Sequence, residues 1–247
     1  MSFRVDPAAS DYRWTEFRDV EAWAEGASDA IVAALAHAVQ ERGGARLLLS
    51  GGGTPAPVYR ALPDAVLDWS KVRVGLVDER ASDAAEASNA LLVRETLLRD
   101  GARAAVLEPL HPVPGDPPPQ PGADLVAEAD ARHRAADAPP LVAVFGMGDD
   151  GHTASLFPHG PDLADALDAE AHFVRTDASA IAGARGWPRR ITLTPAGWRH
   201  AAARILLLRG DGKRRLFGRA LESGDVAELP VRALFAGDTP LHVYWCP

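Results

Sequence analysis

Apolar residues recur at helical spacing in the stretch AWAEGASDAIVAALAHAVQERGG. Ile31, Leu35 and Val39 fall on one stripe of such a helix, and the pair Gly43 and Gly44 supplies a stop signal. The pattern therefore predicts an amphipathic helix that ends at the two glycines.

Short apolar runs alternate with further helical patterns along the rest of the chain. A run of this length that leads into a turn is typical of a buried parallel strand. Strands are predicted in ARLLLS, KVRVGLV, LVAVF, HFVRT, RRITLT, RILLLRG and LHVYW. Helices are predicted near Pro55 and in SNALLVRETLLRDG, ADLVAEADARHRAA and DGKRRLFGRALES. The repeated β and α units predict an α/β fold, with a mainly parallel sheet and helices on both faces.

A proline-rich segment, HPVPGDPPPQPG, interrupts this rhythm between His111 and Gly122. It can carry neither a helix interior nor a central strand, because proline has no amide donor. A helical pattern and the strand LVAVF resume directly after it. Residues 112–122 are therefore predicted to form a surface loop rather than a linker, within one domain over residues 1–247.

Composition limits the partners of the chain. Hydrophobic residues make up 47% and charged residues 24% of the 247 residues, which is ordinary for a globular protein. The net charge of -8 opposes attraction to nucleic acid or to an anionic membrane, so an anionic ligand requires a locally basic pocket. The single cysteine, Cys246, suits a reducing compartment. With neither a secretory signal nor a spanning segment in the pattern, we expect a cytoplasmic protein without nucleic-acid or membrane partners.

Three loops are predicted at one edge of the sheet: SGGGTP, DER and GMGDDGH. Each follows a predicted strand, and in such sheets ligands bind outside the carboxyl ends of the strands. GMGDDG has the glycine spacing of a dinucleotide fingerprint, but Asp149 and Asp150 would repel a pyrophosphate. We therefore expect no nucleotide here, and we expect the two aspartates to cap a helix that begins near His152.

These motifs together resemble a known family. SGGGTP at 50–55, DER at 78–80, GMGDDGHTASLFP at 146–158, RRITLT at 189–194 and GDGKRRLF at 210–217 are similar, in this order, to segments of the 6-phosphogluconolactonases. These enzymes share a family with the glucosamine-6-phosphate deaminases. The resemblance implies a Rossmann-like α/β fold and hydrolysis of 6-phospho-D-glucono-1,5-lactone to 6-phosphogluconate in the pentose phosphate pathway.

His152 is the candidate catalytic residue for this chemistry. A histidine with its ordinary pKa near 6.5 can take a proton from water and return it to the leaving ring oxygen, which is worth about 10² to 10⁴ in rate. Asp78 is a candidate for orienting that histidine or the water, although it can equally be a loop-capping residue. Backbone amides of the glycine loops are candidates for the oxyanion hole.

The substrate phosphate requires backbone donors and cations. The resemblance and the glycine loop SGGGTP together nominate a substrate- and phosphate-binding set: Ser50, Gly51, Gly52, Gly53, Thr54, Arg80, Gly148, Arg190 and Lys213. Arg189 is an alternative to Arg190, because adjacent residues of a strand point to opposite faces.

No metal or cofactor is expected, because the histidines form no tight ligand pattern and an activated ester needs none. Two alternatives stay open. A sugar-phosphate isomerase or deaminase on the same fold is disfavoured, because Phe157 stands where the motif of those enzymes carries a glutamate. A non-enzymatic sugar-phosphate sensor is disfavoured because the sequence shows no DNA-reading segment. The protein is expected to be a monomer or a small homo-oligomer.

Overall fold

The computed structural model describes residues 11–135, 137–184 and 186–247. These residues form the strands β1 (Tyr12–Glu16), β2 (Ala45–Leu49), β3 (Val72–Leu76), β4 (Asp78–Arg80), β5 (Val106–Leu107), β6 (Leu141–Gly146), β7 (Phe173–Asp177), β8 (Arg189–Leu193), β9 (Ala203–Arg209) and β10 (Leu241–Cys246). The helices are α1 (Val20–Arg42), α2 (Ala56–Ala61), α3 (Asn89–Thr96), α4 (Leu125–Arg134), α5 (Leu163–Asp168), α6 (Pro195–Trp198) and α7 (Asp211–Ala220).

A seven-stranded parallel sheet in the order β1-β10-β9-β6-β2-β3-β5 forms the centre of the molecule. Its inner strands are buried on both faces because helices surround it, which explains why they read as continuous apolar runs. The predicted Rossmann-like α/β class is therefore confirmed.

Helix α1 follows the predicted apolar stripe. The carboxylate of Asp19 accepts the amide of Ala22 at 2.8 Å and caps its first turn. Gly43, with φ of 75°, ends it in the left-handed region that glycine adopts without strain. Trp23, Ile31 and Leu35 are fully buried, and each such side chain contributes about 1.5–3 kcal/mol through its removal from water.

A second, three-stranded sheet in the order β4-β8-β7 is antiparallel and stands apart from the parallel one. The strands β7 and β8 were predicted from the sequence, but their place in a sheet separate from the parallel one was not. DER was predicted as a loop, whereas it forms the strand β4. The two sheets meet where the amide of Leu193 donates to the backbone oxygen of Val77 at 2.7 Å. This small sheet brings β4 and β8 to the edge where β2, β3 and β6 end.

The prediction of a helix near His152 is wrong. Residues 150–158 form turns around a short bridge between Thr153 and Leu156, and α5 begins only at Leu163. The cause is local, because Gly151 and Ala154 both have positive φ, of 86° and 48°, which a right-handed helix excludes.

Residues 112–122 carry neither helix nor strand and are exposed from 115 onwards, so the predicted surface loop is confirmed. None of the helices described here is long and apolar enough to cross a membrane. One apolar cluster runs from Trp23 to Cys246 and includes residues of both sheets. A single domain over residues 1–247 stays a prediction, and residues 1–10 lie outside the described part.

Candidate active site

A cavity of about 530 Å³ opens at the carboxyl ends of β2 and β6, beside β4. Every residue of the predicted site lines it: Ser50, Gly51, Gly52, Gly53, Thr54, Asp78, Arg80, Gly148, His152, Arg190 and Lys213. The structure therefore brings together residues that are up to 163 positions apart in the sequence.

The glycine loop after β2 offers a row of free donors. The amide of Ser50 is tied to the backbone oxygen of Val144 at 3.0 Å, and the backbone oxygen of Ser50 accepts the hydroxyl of Tyr59 at 2.8 Å. Gly52 has φ of 91°, which turns the chain sharply. Within the described ranges, the amides of residues 51–54 donate to no protein acceptor. The loop is thus anchored at one end and presents N–H groups suited to an anion.

His152 is held on one side by a carboxylate. Its Nδ1 lies 2.6 Å from Oδ1 of Asp150, and the same oxygen accepts the His152 amide at 3.1 Å. Burial raises the pKa of Asp150, but the hydrogen bond and the charge of His152 outweigh it and hold that pKa below its ordinary value. The other ring nitrogen, Nε2, has no hydrogen-bond partner in the part of the chain that is described.

Phe157 and Gly148 lie close to the imidazole. The ring of Phe157 lies 4.6 Å from that of His152, centroid to centroid. A Cβ at Gly148 would come within 2.2 Å of the imidazole, so only glycine at that position leaves room for the ring. The Gly148 amide donates to the backbone oxygen of His152 at 2.8 Å and closes the turn.

Asp78 does not form the predicted carboxylate pair with His152. Its Oδ2 accepts the hydroxyl of Ser155 at 2.7 Å, and Asp150 takes the position beside the imidazole. Asp150 reaches the imidazole because it lies two residues before His152 in the same tight turn. A role for Asp78 in orienting water stays a prediction.

The two adjacent arginines of β8 separate as strand geometry requires. Arg190 is buried and lines the cavity, where its guanidinium lies 5.3 Å from the centre of the Phe157 ring. Its Nε and Nη2 donate to the backbone oxygens of Trp187 and Ala184, both at 2.6 Å, and burial lowers its pKa. Arg189 lines a separate groove on the other side of the strand. Of the two arginines between which the sequence could not decide, Arg190 is therefore the one that faces the cavity.

Lys213 reaches the cavity from the first turn of α7. Its ammonium group donates to the backbone oxygen of Met147 and lies 3.3 Å from the carboxylate of Asp149. Lys213 is one of only two lysines in the sequence. The fixed amine adds a compact positive charge close to the loop between β6 and His152.

Sequence reasoning missed two buried polar residues beside the cavity. Asn89, the only asparagine of the chain, lines it at the start of α3. Glu79 is 1% exposed, and burial raises its pKa to about 7 although its carboxylate accepts three backbone amides. The rarity of asparagine was a usable signal for Asn89. Glu79 was hidden because strand alternation turns it away from the cavity side of Asp78 and Arg80.

No group of three or more histidine, cysteine, aspartate or glutamate side chains suited to a metal ion occurs in the described residues. The expectations of no metal and no cofactor stay predictions.

Comparisons with known proteins agree with the motifs. The family model described as "Glucosamine-6-phosphate isomerases/6-phosphogluconolactonase" matches residues 18–245. A 6-phosphogluconolactonase of Xylella fastidiosa is 42% identical over 228 residues, which cover 91% of this chain and 92% of that protein. One of Rhizobium meliloti is 40% identical over 233 residues, which cover 94% and 97%. The crystal structure of a 6-phosphogluconolactonase from Shewanella baltica, 34% identical, matches with a TM-score of 0.82 and covers 96% of this chain and 98% of that one. The chain therefore belongs to the glucosamine-6-phosphate isomerase/6-phosphogluconolactonase family.

Proposed function

We propose that this enzyme hydrolyses 6-phospho-D-glucono-1,5-lactone to 6-phosphogluconate, a step of the pentose phosphate pathway. The observation that carries the proposal is that one cavity holds both a histidine–aspartate pair and a glycine loop with free amides flanked by cations. The relatives named above are 6-phosphogluconolactonases over nearly the full length of the chain. We further propose that it acts in the cytoplasm, which suits its single cysteine, as a monomer or small homo-oligomer.

The phosphate end of the substrate is assigned to the glycine loop. The amides of residues 51–54 and the hydroxyls of Ser50 and Thr54 supply donors, while Lys213 and Arg80 supply positive charge. Such donors are needed because the chain as a whole carries a net charge of -8, which repels a dianionic group. Charge-assisted hydrogen bonds of this kind are about twice as strong as neutral ones.

The reacting end is assigned to His152. Because the Asp150 carboxylate can only accept, Nδ1 of the neutral ring carries the proton and Nε2 carries a lone pair. Nε2 takes a proton from water as the water oxygen bonds to the lactone carbonyl carbon. The carbonyl oxygen becomes an oxyanion in the tetrahedral intermediate. The imidazolium then returns the proton to the ring oxygen as the C–O ring bond breaks, which leaves a carboxylic acid and a free hydroxyl.

Two further groups support this cycle. Asp150 stabilises the transient positive charge on the imidazole and keeps its orientation, as the acid member of a catalytic triad does. Arg190, which the sequence nominated for the phosphate, is assigned here to the reacting end instead, because its guanidinium lies 5.3 Å from the centre of the Phe157 ring, which itself contacts His152. A guanidinium so near the reacting end adds positive potential where the oxyanion develops.

The test compares the decay of enzymatically generated 6-phosphogluconolactone, with and without the protein, to that of unphosphorylated glucono-1,5-lactone. We expect the protein to accelerate hydrolysis of the phosphorylated lactone strongly. For glucono-1,5-lactone we expect a kcat/KM at least about tenfold lower, because the charge-assisted contacts to the phosphate are lost. Hydrolysis no faster than the spontaneous rate contradicts the proposal. Release of ammonia from glucosamine 6-phosphate, measured in parallel, would support the deaminase alternative instead.

A further inference from the structure

The side chain of Asn89 joins three walls of the cavity. Its Nδ2 donates to the backbone oxygen of Asp78 at 2.8 Å, and its Oδ1 accepts from Nη1 of Arg80 at 2.5 Å. It also lies against the glycine loop, because a Cβ on Gly51 would come within 1.9 Å of Oδ1. Asn89 is only 2% exposed. One amide thus links the glycine loop, β4 and a cation.

The direction of the Arg80 guanidinium depends on this amide. Nη1 donates to Asn89 and to the backbone oxygen of Ala87 at 2.9 Å. Nε is buried, and neither it nor Nη2 has a hydrogen-bond partner among the described residues. Both acceptors of Nη1 are neutral oxygens, so they hold the guanidinium in place without cancelling its charge. A carboxylate in the same place would neutralise it.

Glu79 fixes the backbone from which Asn89 projects. Its Oε1 accepts the amides of Arg80 and Asn89 at 2.8 and 2.9 Å, and its Oε2 accepts the amide of Ala90 at 2.9 Å. The carboxylate therefore ties the end of β4 to the first turn of α3. Acceptors at a helix start are stabilising, since the first amides of a helix have no partner within it.

We propose that Asn89 is a positioning residue that aims the charged guanidinium of Arg80 at the substrate phosphate, with Glu79 holding Asn89 in place. The inference rests on the proposed function, in that the anion is taken to be the phosphate of the lactone. It explains why an uncharged amide, rather than an acid, is buried between Arg80 and the glycine loop. It also gives a reason for Gly51, where any side chain would displace that amide.

The experiment is a double-mutant cycle with Asn89→Ala, Arg80→Ala and the combined variant, measured as KM and kcat for the lactone. Binding of inorganic sulfate, measured by calorimetry, gives a second readout that needs no turnover. Because Asn89 acts through Arg80, we expect Asn89→Ala to raise KM and the sulfate Kd about tenfold or more, with a much smaller change in kcat. In the Arg80→Ala background the same change should add little, because its target is gone.

Ser88→Ala provides the matched control. The Ser88 hydroxyl accepts the amide of Leu91 at 3.1 Å and caps the same helix, yet it forms no hydrogen bond with Arg80. This variant should lower the thermal midpoint through loss of the cap and leave KM and the sulfate Kd unchanged. A rise of KM in the control equal to that of Asn89→Ala would assign the effect to helix stability and overturn the inference.

Asn89→Asp covers the case in which Asn89→Ala does not fold. It keeps an acceptor for Arg80 but adds the negative charge that an amide avoids, so we expect the sulfate Kd to rise about tenfold or more. Wild-type affinity in this variant, or additive effects in the cycle, would refute the role of Asn89. An inactive wild type would count against the proposed function alone, because sulfate binding still tests Asn89.

Discussion

Two histidines of this chain, His152 and His133, occupy opposite environments. Nδ1 of His152 faces the carboxylate of Asp150, which accepts, so the lone pair of the neutral ring lies on Nε2. Nδ1 of His133 lies 2.8 Å from Nη1 of Arg46, which only donates, so its lone pair is already engaged. Its Nε2–H donates to the backbone oxygen of Gly197 at 2.8 Å. The partner of Nδ1 therefore decides whether a histidine can act as a base.

Burial separates the two residues further. His133 belongs to the last turn of α4, and its ring lies 4.9 and 5.4 Å from the rings of His172 and Phe173, centroid to centroid. Burial, reinforced by the charge of Arg46, lowers the pKa of His133 to about 3. The side chain of His152 is 27% exposed and lines the cavity. One histidine is a neutral structural link, and the other is accessible to a substrate.

The largest effect is expected for His152→Ala. Loss of the general base should lower kcat/KM for the lactone by about 10²- to 10⁴-fold. The thermal midpoint should change little, because the side chain is partly exposed. The rate is measured above the spontaneous background. A rate within about threefold of wild type, well short of the general-base range, would remove His152 from the mechanism.

His133→Phe should show the opposite pattern. It keeps an aromatic ring but removes the Nδ1 acceptor of Arg46, which retains only backbone oxygens, and leaves the Gly197 oxygen without its donor. Together these losses should cost about 3 kcal/mol of the free energy of unfolding. Specific activity of the folded protein should stay near that of wild type. Denaturant unfolding and activity measured on the same samples separate the two effects. Loss of activity without loss of stability would break the comparison.

The acid stability of His133→Phe sharpens this prediction. The folded-state pKa of His133 is depressed, so wild type loses stability as the pH falls from about 6.5 towards 3, by about 1.4 kcal/mol per pH unit. The variant has no such proton to bind. Its deficit relative to wild type should therefore be largest above pH 6.5 and shrink in acid. A deficit independent of pH would show that His133 is not buried as a neutral group.

Asp150→Asn tests why His152 has its lone pair on Nε2. An amide nitrogen facing Nδ1 favours the other tautomer, so kcat/KM should fall about 10- to 100-fold, the worth of a hydrogen bond to a charged group. Asp149→Asn is the neighbouring comparison, because its exposed carboxylate contacts only Lys213 in the ion pairs described. For Asp149→Asn we expect kcat/KM to fall by an amount that corresponds to about 1 kcal/mol or less. Equal losses in the two variants would contradict the assigned pairing.

The adjacent arginines of β8 give the smallest contrast. Arg190→Ala should lower kcat/KM about tenfold, since it removes a buried cation from the cavity wall. Arg189→Ala should have little effect, because an exposed substitution away from the site usually stays within about 0.5 kcal/mol. Steady-state kinetics on the two variants decide the point. A larger effect of Arg189→Ala would reverse the assignment.

The sequence predicted those parts of the molecule that depend on local pattern. Apolar runs and glycine stops predicted helix α1 and the strands β2, β3, β6, β9 and β10 of the parallel sheet, but not its edge strands β1 and β5. The order of the motifs brought Ser50, Arg80 and Lys213 to one edge. It failed where backbone conformation or partners far along the chain decide. Positive φ at Gly151 and Ala154 breaks the predicted helix, and no periodicity reveals that.

The same limit applies to the site. Asp78 and Asp150 are both acids next to a strand end, and only coordinates show which one reaches His152. Glu79 and Asn89 form their contacts because α3 returns to β4 after the connection of residues 81–88, whose course the pattern does not reveal. The contacts of the buried network behind the cations were therefore inaccessible to sequence reasoning, whereas most of the polar residues that line the cavity were not, Asn89 being the exception.

The most direct measurement is a crystal structure of the complex with 6-phosphogluconate. The account predicts the phosphate on the amides of residues 51–54, near Arg80 and Lys213, and the C1 carboxylate within hydrogen-bond reach of Nε2 of His152, directly or through one water. A ligand bound in the reverse direction, or a C1 carboxylate out of reach of that nitrogen, would contradict it.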